Sequence, residues 1–199
     1  AAVPCRLGAA LLCGGMAMAV AAGEWLIPSP ADGNEAAVAA LTNALANCAE
    51  KDVVTLAKGV YDLSGVVSAT DGKVGDSHLA VGKKTIRLRG DPSATRDEVV
   101  LKSSGTHRTL RMAENAWVEN MTLEGEPDFK ADKGGVVEMT GGVLTNCVVR
   151  NGTSTGNGGN LYMTAGVVVD CVISNGTIKS TSAEWNGPKG VNVCLNGAA

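Results

Sequence analysis

The side chains best suited to chemistry are a few charged residues on predicted strands. Glu119, Glu138 and Arg150 lie in short runs rich in Val, Leu and Met, so they could project from successive turns of a repeat towards a saccharide. Charged residues that alternate with apolar ones are also typical of the solvated face of a repeat protein. We favour the second interpretation, in which these three residues lie on a solvated face.

Metal binding and acid–base catalysis need His, Cys or carboxylate side chains at close spacing. His78 follows Asp76 in a stretch rich in Gly, Asp and Ser that predicts a solvated loop, and His107 has no Cys or carboxylate at ligand spacing. The acidic residues that could hold calcium do not share one predicted face: Asp128, Asp132, Glu138 and Asp170. We therefore predict no catalytic residue, no metal site and no cofactor.

Trp185 is the one aromatic residue expected to be exposed. It lies in a polar loop, residues 178–189, where the repeat described below is interrupted by an insertion. An indole ring can stack on a sugar, so Trp185 is a candidate carbohydrate-binding residue; anchoring in the core is the equally weighted alternative. The expected partners are polysaccharides or cell-surface glycans.

Six cysteines occur without a CxxC pair. Cys147 and Cys171 hold the same position in two copies of one motif. We predict that they are small core hydrophobes in neighbouring repeats, and a disulfide between them is the alternative.

The charge balance argues against a nucleic-acid partner. The formal net charge is −3, with both signs scattered along the chain. The basic stripe expected of a nucleic-acid binder is missing.

The first 22 residues are typical of an export signal. Arg6 precedes an uncharged run, residues 7–20, and Ala19-Val20-Ala21 or Val20-Ala21-Ala22 offers a small-residue cleavage site. The run is shorter than the roughly 20 apolar residues of a membrane span. We expect a signal peptide at 1–22, a secreted or cell-surface protein and no transmembrane span in the mature part. A buried N-terminal helix and a lipid anchor are the alternatives.

The remainder is predicted to be one domain, residues 23–199, which begins with a helix. From Asn34, taken as the N-cap, Ala and Leu recur at three- and four-residue spacing to about Ala49, so we place a helix at 34–50. Short Val-rich runs separated by Gly and Asn follow from residue 53 and predict strands.

One motif is written twice between Val137 and Thr177. Its two copies, residues 137–153 and 161–177, are offset by 24 positions and share nine of seventeen residues. Looser copies begin at Trp117, 26 positions before Val143, and at Gly190, 32 positions after Gly158. A fixed period in this range is the mark of a solenoid.

The apolar positions of each copy predict which side chains face the interior. Asn120, Asn146 and Asp170 share a position that breaks the alternation, where a bend with left-handed backbone would suit Asn. Stacked coils would align them in a ladder. The inward set of the two main copies is Val137, Met139, Leu144, Cys147, Val149, Leu161, Met163, Val168, Cys171 and Ile173.

An Ala/Leu helix followed by Asp52-Val53-Val54-Thr55-Leu56 and Gly59-Val60-Tyr61 resembles the start of right-handed parallel β-helix proteins, the pectate-lyase-like fold. The resemblance implies an all-β, right-handed parallel β-helix solenoid with an N-terminal capping α-helix and coils over residues 53–199. The last repeat stops at Ala199 without the polar cap that solenoids need. We therefore expect a C-terminally truncated chain with an open end, part of a longer polypeptide.

Fold alone does not choose a function. The resemblance extends to lyases, hydrolases, tailspikes and adhesins, but the hydrolase series Asn-Thr-Asp, Asp-Asp, Gly-His-Gly and Arg-Ile-Lys is absent. The repeat pattern of residues 158–173 is similar to the patterns found in large exported bacterial β-helix proteins. The sequence thus favours a non-catalytic, adhesin-like scaffold that contacts carbohydrate. The alternative is the N-terminal part of a polysaccharide lyase or glycoside hydrolase whose site lies beyond residue 199.

Overall fold

The structure, a computed structural model, describes residues 6–7, 22–66, 69–70, 73–74, 76–104, 107–128, 131–179 and 189–197. Most of the predicted signal segment, residues 1–22, lies outside the described residues. Trp185, the candidate carbohydrate-binding residue, also lies outside them.

The described chain consists of one α-helix, one 3₁₀ turn at Pro30–Asp32 and many short strands. In chain order the elements are β1 (Arg6–Leu7), β2 (Glu24–Ile27), α1 (Asn34–Asn47), β3 (Val53–Leu56), β4 (Gly59–Asp62), β5 (Ala69–Thr70), β6 (Lys73–Val74), β7 (Ser77–Val81), β8 (Ile86–Gly90), β9 (Val99–Lys102), β10 (Arg108–Met112), β11 (Ala116–Glu119), β12 (Thr122–Glu124), β13 (Ala131–Lys133), β14 (Val137–Met139), β15 (Val143–Thr145), β16 (Val148–Arg150), β17 (Thr153–Asn157), β18 (Leu161–Met163), β19 (Val167–Val169), β20 (Val172–Ser174), β21 (Thr177–Ile178) and β22 (Val193–Leu195).

These strands assemble into four stacked sheets and one small hairpin. The first sheet runs β1-β2-β3-β8-β11-β15-β19, the second β4-β9-β12-β16-β20, the third β7-β10-β14-β18-β22, and the fourth β13-β17-β21. Neighbours are parallel except in the antiparallel pair β1–β2 and the β5–β6 hairpin. Except for β2 and β3, which α1 connects, the parallel partners are not consecutive strands, as expected of strands joined by crossover connections.

The chain visits the sheets in a repeating order, which is consistent with a parallel β-solenoid. From β14 it passes through the third, first, second and fourth sheets and returns to the third at β18. Val137 pairs with Leu161, and Val143 with Val167, which is the 24-residue offset of the sequence motif. Leu161 in turn pairs with Val193, across the 32-residue offset. The predicted repeat register is confirmed.

The core runs between the sheets and is filled by aliphatic residues of alternating strand positions. In the first main copy of the motif the predicted inward side chains are fully buried. In the second copy Leu161 is also fully buried, whereas Met163, Val168, Cys171 and Ile173 lie partly buried against the same cluster. The second copy contributes β19 and β20, the last described strands of their sheets, and Val167, Val169 and Val172 there are exposed.

Helix α1 lies on the strands at the start of the solenoid. It contacts β2, β3 and β4, and its Ala-rich face joins the core through Ala37, Val38, Ala40, Leu41 and Ala44. Small side chains allow the helix axis to approach the strands closely, which explains why a weakly apolar helix can be buried here.

Asn34 does not cap the helix as predicted. Gly33 occupies the N-cap, with φ at 141°, and Asn34 is the first helical residue. Its amide instead pairs with the backbone of Asp62 in β4, donating from Nδ2 to the carbonyl oxygen at 2.9 Å and accepting from the N–H at 2.8 Å. The helix also ends at Asn47, slightly before the predicted end.

Candidate functional site

The outer face of the first sheet carries polar and aromatic side chains at alternate positions. In β11, Val118 is buried in the core, whereas Trp117 is 39% exposed and Glu119 is half-buried. The register places Arg87 beside Trp117 and Arg89 beside Glu119. Parallel strands lie about 4.8 Å apart, so these four outward side chains form one continuous surface, here called the first-sheet patch.

Trp117 is held in place although much of its ring is open to solvent. The guanidinium of Arg87 lies 4.7 Å from the ring centroid, and such a contact is worth about 0.5–1 kcal/mol at an exposed site. The indole Nε1 donates to Glu119 Oε2 at 3.0 Å, while Arg87 Nε lies 3.3 Å from Glu119 Oε1. Arg87 and Glu119 therefore fix the orientation of the indole before any ligand arrives.

The second arginine of the patch is anchored towards the N-terminal strands. Arg89 donates from Nη2 to Glu24 Oε1 at 2.8 Å and from Nε to Thr55 Oγ1 at 3.0 Å. Each arginine of the patch thus faces a carboxylate. Binding to this surface would depend on stacking and directed hydrogen bonds more than on net charge.

A cleft of about 700 Å³ opens beside the patch. One wall is the loop between β8 and β9, which folds back across the coils: Thr122 Oγ1 donates to the carbonyl of Arg96, and Arg96 Nη1 donates to the carbonyl of Asp170 at 2.9 Å. The polar side chains lining the cleft include Arg89, Arg96, Asp97, Glu119, Asn120 and Asn146.

Two residues of the predicted corner ladder, Asn120 and Asn146, line this cleft. Asn120, Asn146 and Asp170 all adopt positive φ, at 56°, 48° and 53°. Asn146 donates from Nδ2 to Asn120 Oδ1 at 3.0 Å, and Asn120 Nδ2 donates to the carbonyls of Asp91 and Ala94. The ladder thereby ties two coils to the loop that walls the cleft, and the predicted left-handed corner is confirmed.

The three charged residues singled out by the sequence do not converge. Glu119 lies on the first sheet, Arg150 on the second and Glu138 on the third. Arg150 pairs with Glu124 in the neighbouring coil at 2.8 Å. A shared saccharide contact by all three is therefore excluded by their positions.

Glu138 is buried rather than solvated, so the expectation of a solvated face is wrong for this residue. Its Oε2 lies 3.1 Å from Arg108 Nη1 and 3.5 Å from Arg111 Nε. Arg108 is itself 1% exposed, and it also binds Asp76 and the carbonyl of Lys133. The guanidinium of Arg108 neutralises the carboxylate and makes its burial possible.

His78 is likewise buried, contrary to the predicted solvated loop. It lies in β7, and its ring nitrogens contact the carbonyl oxygens of Val66 and Ser104, the latter at 3.2 Å. Burial lowers its pKa below the usual value. The ring of His107 lies 5.4 Å away, centroid to centroid.

Cys147 and Cys171 stack in neighbouring coils as free thiols. The hydrogen bond between them lowers the pKa of Cys171 to about 7, and the same bond together with burial raises the pKa of Cys147. Cys147 is fully buried, whereas Cys171 is partly exposed. The pair matches the predicted core position, and no disulfide joins it.

The described part of the chain has no metal-binding cluster and no membrane-spanning helix. Within the residues given above, no three His, Cys, Asp or Glu side chains are close enough to hold a metal ion. Among the same residues, no helix is long and apolar enough to cross a membrane.

Comparison with known proteins identifies no relative of this chain. No family model matches the sequence, and neither the curated proteins nor the solved structures contain a significant match.

Proposed function

We propose that this protein is an exported, non-catalytic β-helix scaffold that binds glycan chains through the first-sheet patch. The coils would form a right-handed, pectate-lyase-like helix with α1 covering its N-terminal end. Contacts of α1 with β2, β3 and β4 support that role for the helix. The signal-like composition of residues 1–22 supports export to the cell surface.

The observation that carries the proposal is the exposed, pre-oriented indole of Trp117 at the edge of a polar cleft. Sugar recognition combines an aromatic face for stacking with fixed hydrogen-bonding groups. The patch supplies the indole, and the cleft beside it supplies arginine, carboxylate and amide groups.

The repeat itself supports a scaffold. Each added coil extends the outer face of the first sheet by one strand spacing, so a linear polymer could lie along several coils. Glu119 and Arg89 belong to both the patch and the cleft. A glycan chain stacked on Trp117 would therefore reach the cleft without leaving the surface.

Binding of the purified chain to a panel of neutral and uronate-containing polysaccharides tests this proposal. Trp117→Ala is expected to reduce affinity about ten-fold, which corresponds to the loss of one stacking contact. Val172→Ala is the control, because Val172 is an exposed residue of the second sheet and lies outside both the patch and the cleft.

Three results would count against the proposal. The unmodified chain could fail to bind every polysaccharide, or Trp117→Ala could bind as well as the control. Release of new reducing ends or unsaturated products from a bound polysaccharide would contradict the non-catalytic part and favour the lyase or hydrolase alternative.

A further inference from the structure

Cys147 and Cys171 lie side by side at one corner of two adjacent coils. The residues that follow them, Val148 and Val172, are register partners in β16 and β20, and the Val172 N–H donates to the Cys147 carbonyl at 2.9 Å. Adjacent parallel strands lie about 4.8 Å apart, and disulfides join Cα atoms about 4.4–6.8 Å apart. The backbones of the two cysteines are therefore within the range that a disulfide spans.

The two sulfur atoms occupy equivalent positions in their coils. Cys147 Sγ lies 3.2 Å from the carbonyl oxygen of Thr145, and Cys171 Sγ lies 3.2 Å from that of Val169. Thr145 and Val169 are themselves register partners. The thiols thus lie one above the other, where they are hydrogen-bonded to each other.

The two thiols differ in their access to solvent. Cys147 is fully buried, whereas Cys171 is partly exposed. The valines on either side of Cys171, Val169 and Val172, are 44% and 45% exposed. A thiol buried in apolar surroundings is inert towards reagents, so a dissolved oxidant reaches Cys171 first.

The surroundings of Cys171 also favour its reactive form. The hydrogen bond with Cys147 lowers the pKa of Cys171 to about 7 although partial burial opposes the shift, and the charge of Arg96 acts in the same direction as the hydrogen bond. Arg96 is close because its Nη1 donates to the carbonyl of the adjacent Asp170 at 2.9 Å. Since the thiolate is the nucleophile, Cys171 is partly in its reactive form at neutral pH.

We propose that this pair is a site of reversible oxidation by small hydroperoxides, in which Cys171 reacts first and Cys147 then closes a disulfide across the two coils. The asymmetry of the pair matches the two roles, because the first thiol must meet the oxidant and the second needs only to meet the first. The inference rests on the thiol pair alone and does not depend on glycan binding.

The oxidation takes place in two balanced steps. The Cys171 sulfur attacks one oxygen of the hydroperoxide, so that an S–O bond forms, the O–O bond breaks, and the other oxygen leaves as an alcohol or water; the sulfur is oxidised to sulfenic acid and the peroxide is reduced. The Cys147 sulfur then attacks the Cys171 sulfur. The S–S bond forms, the S–O bond breaks, and hydroxide leaves as water with the proton of Cys147. An external dithiol restores both thiols by thiol–disulfide exchange and is itself oxidised.

Peptide mapping of the full chain after treatment with hydrogen peroxide at neutral pH tests the proposal. Trypsin cleaves after Arg150, so the two cysteines fall in separate peptides, residues 134–150 and 151–179. The expected product is a linked pair of these peptides that is lost on reduction with dithiothreitol. Failure of peroxide to give the linked pair would overturn the proposal, and so would a linked pair found only between two molecules.

Two variants test the order of the steps. Cys147→Ala should stop at the sulfenic acid, which dimedone traps at Cys171. Cys171→Ala leaves the buried Cys147 without its partner, and dimedone labelling should be lost. Labelling of Cys147 in the second variant equal to that of Cys171 in the first would contradict the assigned roles.

Cys194→Ala is the matched control. Cys194 lies in β22 on the third sheet, away from the corner that holds the pair, so the linked peptides should form in the same yield as in the unmodified chain. Loss of the linked peptides in this variant would contradict the pairing. Thermal unfolding of each variant shows whether it remains folded, and the mapping of the unmodified chain needs no substitution.

Discussion

Asn146 donates a hydrogen bond from its side-chain Nδ2 to Oδ1 of Asn120, 26 positions earlier, at 3.0 Å. Both residues adopt left-handed backbone conformations at the same corner of successive coils. One residue type thus serves two needs: it accepts the positive φ of the corner, and its amide both donates and accepts along the stack.

Substitution of Asn146 should separate the contribution of the left-handed backbone conformation from that of the side-chain hydrogen bond. Asn146→Gly keeps the backbone conformation and loses the hydrogen bond, so we expect a loss of about 1 kcal/mol in unfolding free energy. Asn146→Ala loses the bond and also forces Ala into the left-handed region, which adds roughly 1 kcal/mol. Urea denaturation measures both variants, and a glycine variant no more stable than the alanine variant would contradict the backbone argument.

The thiol pair predicts a pH-dependent reactivity. Because Cys147 donates a hydrogen bond to the Cys171 thiolate, the pKa of Cys171 lies at about 7. Alkylation of Cys171 by iodoacetamide should therefore rise with pH and reach half its maximal rate near that value, since the thiolate is the nucleophile. Peptide mapping by mass spectrometry measures this site separately from the other cysteines.

Cys147→Ala tests the cause of this reactivity. Without the donor, the midpoint for Cys171 should move up towards the ordinary thiol value of about 8.5. An unchanged midpoint in the variant would show that the neighbouring thiol does not set the pKa.

The buried charges at Arg108 should be sensitive to removal of one partner. Arg108→Met leaves Glu138 buried beside a single, more exposed arginine, and we expect a loss of about 3 kcal/mol or more. The double variant Arg108→Met with Glu138→Leu should recover part of that loss, because the buried carboxylate that had lost Arg108 is removed as well. Asp76 also loses Arg108 but is half exposed, so water can solvate it. A double variant less stable than the single one would show that the cluster contributes more than charge compensation.

Asp76 adds an acid dependence to the same cluster. Burial raises its pKa, but the charge of Arg108 and hydrogen bonds from Ser77 and Arg108 outweigh this, so the net pKa is lowered. A lowered folded-state pKa stabilises the fold above the unfolded value of about 3.9, and this contribution is lost as the pH falls through the folded-state pKa. Asp76→Asn should flatten the decline in thermal stability below about pH 4; an unchanged acid profile would exclude this carboxyl as a cause.

The repeat was predictable from sequence because it depends on local spacing. Cys147 and Cys171 share a phase of the 24-residue motif, and the structure stacks them in that register. The corner at Asn120, Asn146 and Asp170 was visible for the same reason: a break in alternation recurs at one phase, and few residues tolerate the conformation it needs.

The candidate site was less predictable because its contacts join segments far apart in the chain. Arg96 donates to the backbone carbonyl of Asp170, which is 74 positions away in the sequence. No repeat in the sequence predicts the loop that contains Arg96. Trp117 lies in a looser copy of the repeat motif, which predicts a strand but does not predict that the indole is exposed. Its exposure becomes visible once the register places Arg87 and Glu119 beside it.

The wrong expectations for His78 and Glu138 share a physical cause. His78 and Glu138 looked solvated because their sequence neighbours are polar or alternate with apolar residues. Each is buried by partners distant in the sequence: the carbonyls of Val66 and Ser104 for the histidine, and Arg108 for the carboxylate. Sequence patterns report which residues alternate but not which distant groups compensate a buried polar side chain.

The stacking register of the coils underlies the ladder, the thiol pair and the exposed face, and disulfide cross-linking measures it most directly. Val143 and Val167 are partners in adjacent strands, whereas Val169 lies two residues further along. Disulfides form between Cα atoms up to about 7 Å apart. The double variant Val143→Cys with Val167→Cys should therefore cross-link on mild oxidation, and Val143→Cys with Val169→Cys should not. Efficient cross-linking of the second pair but not the first, identified by mass spectrometry, would contradict the register.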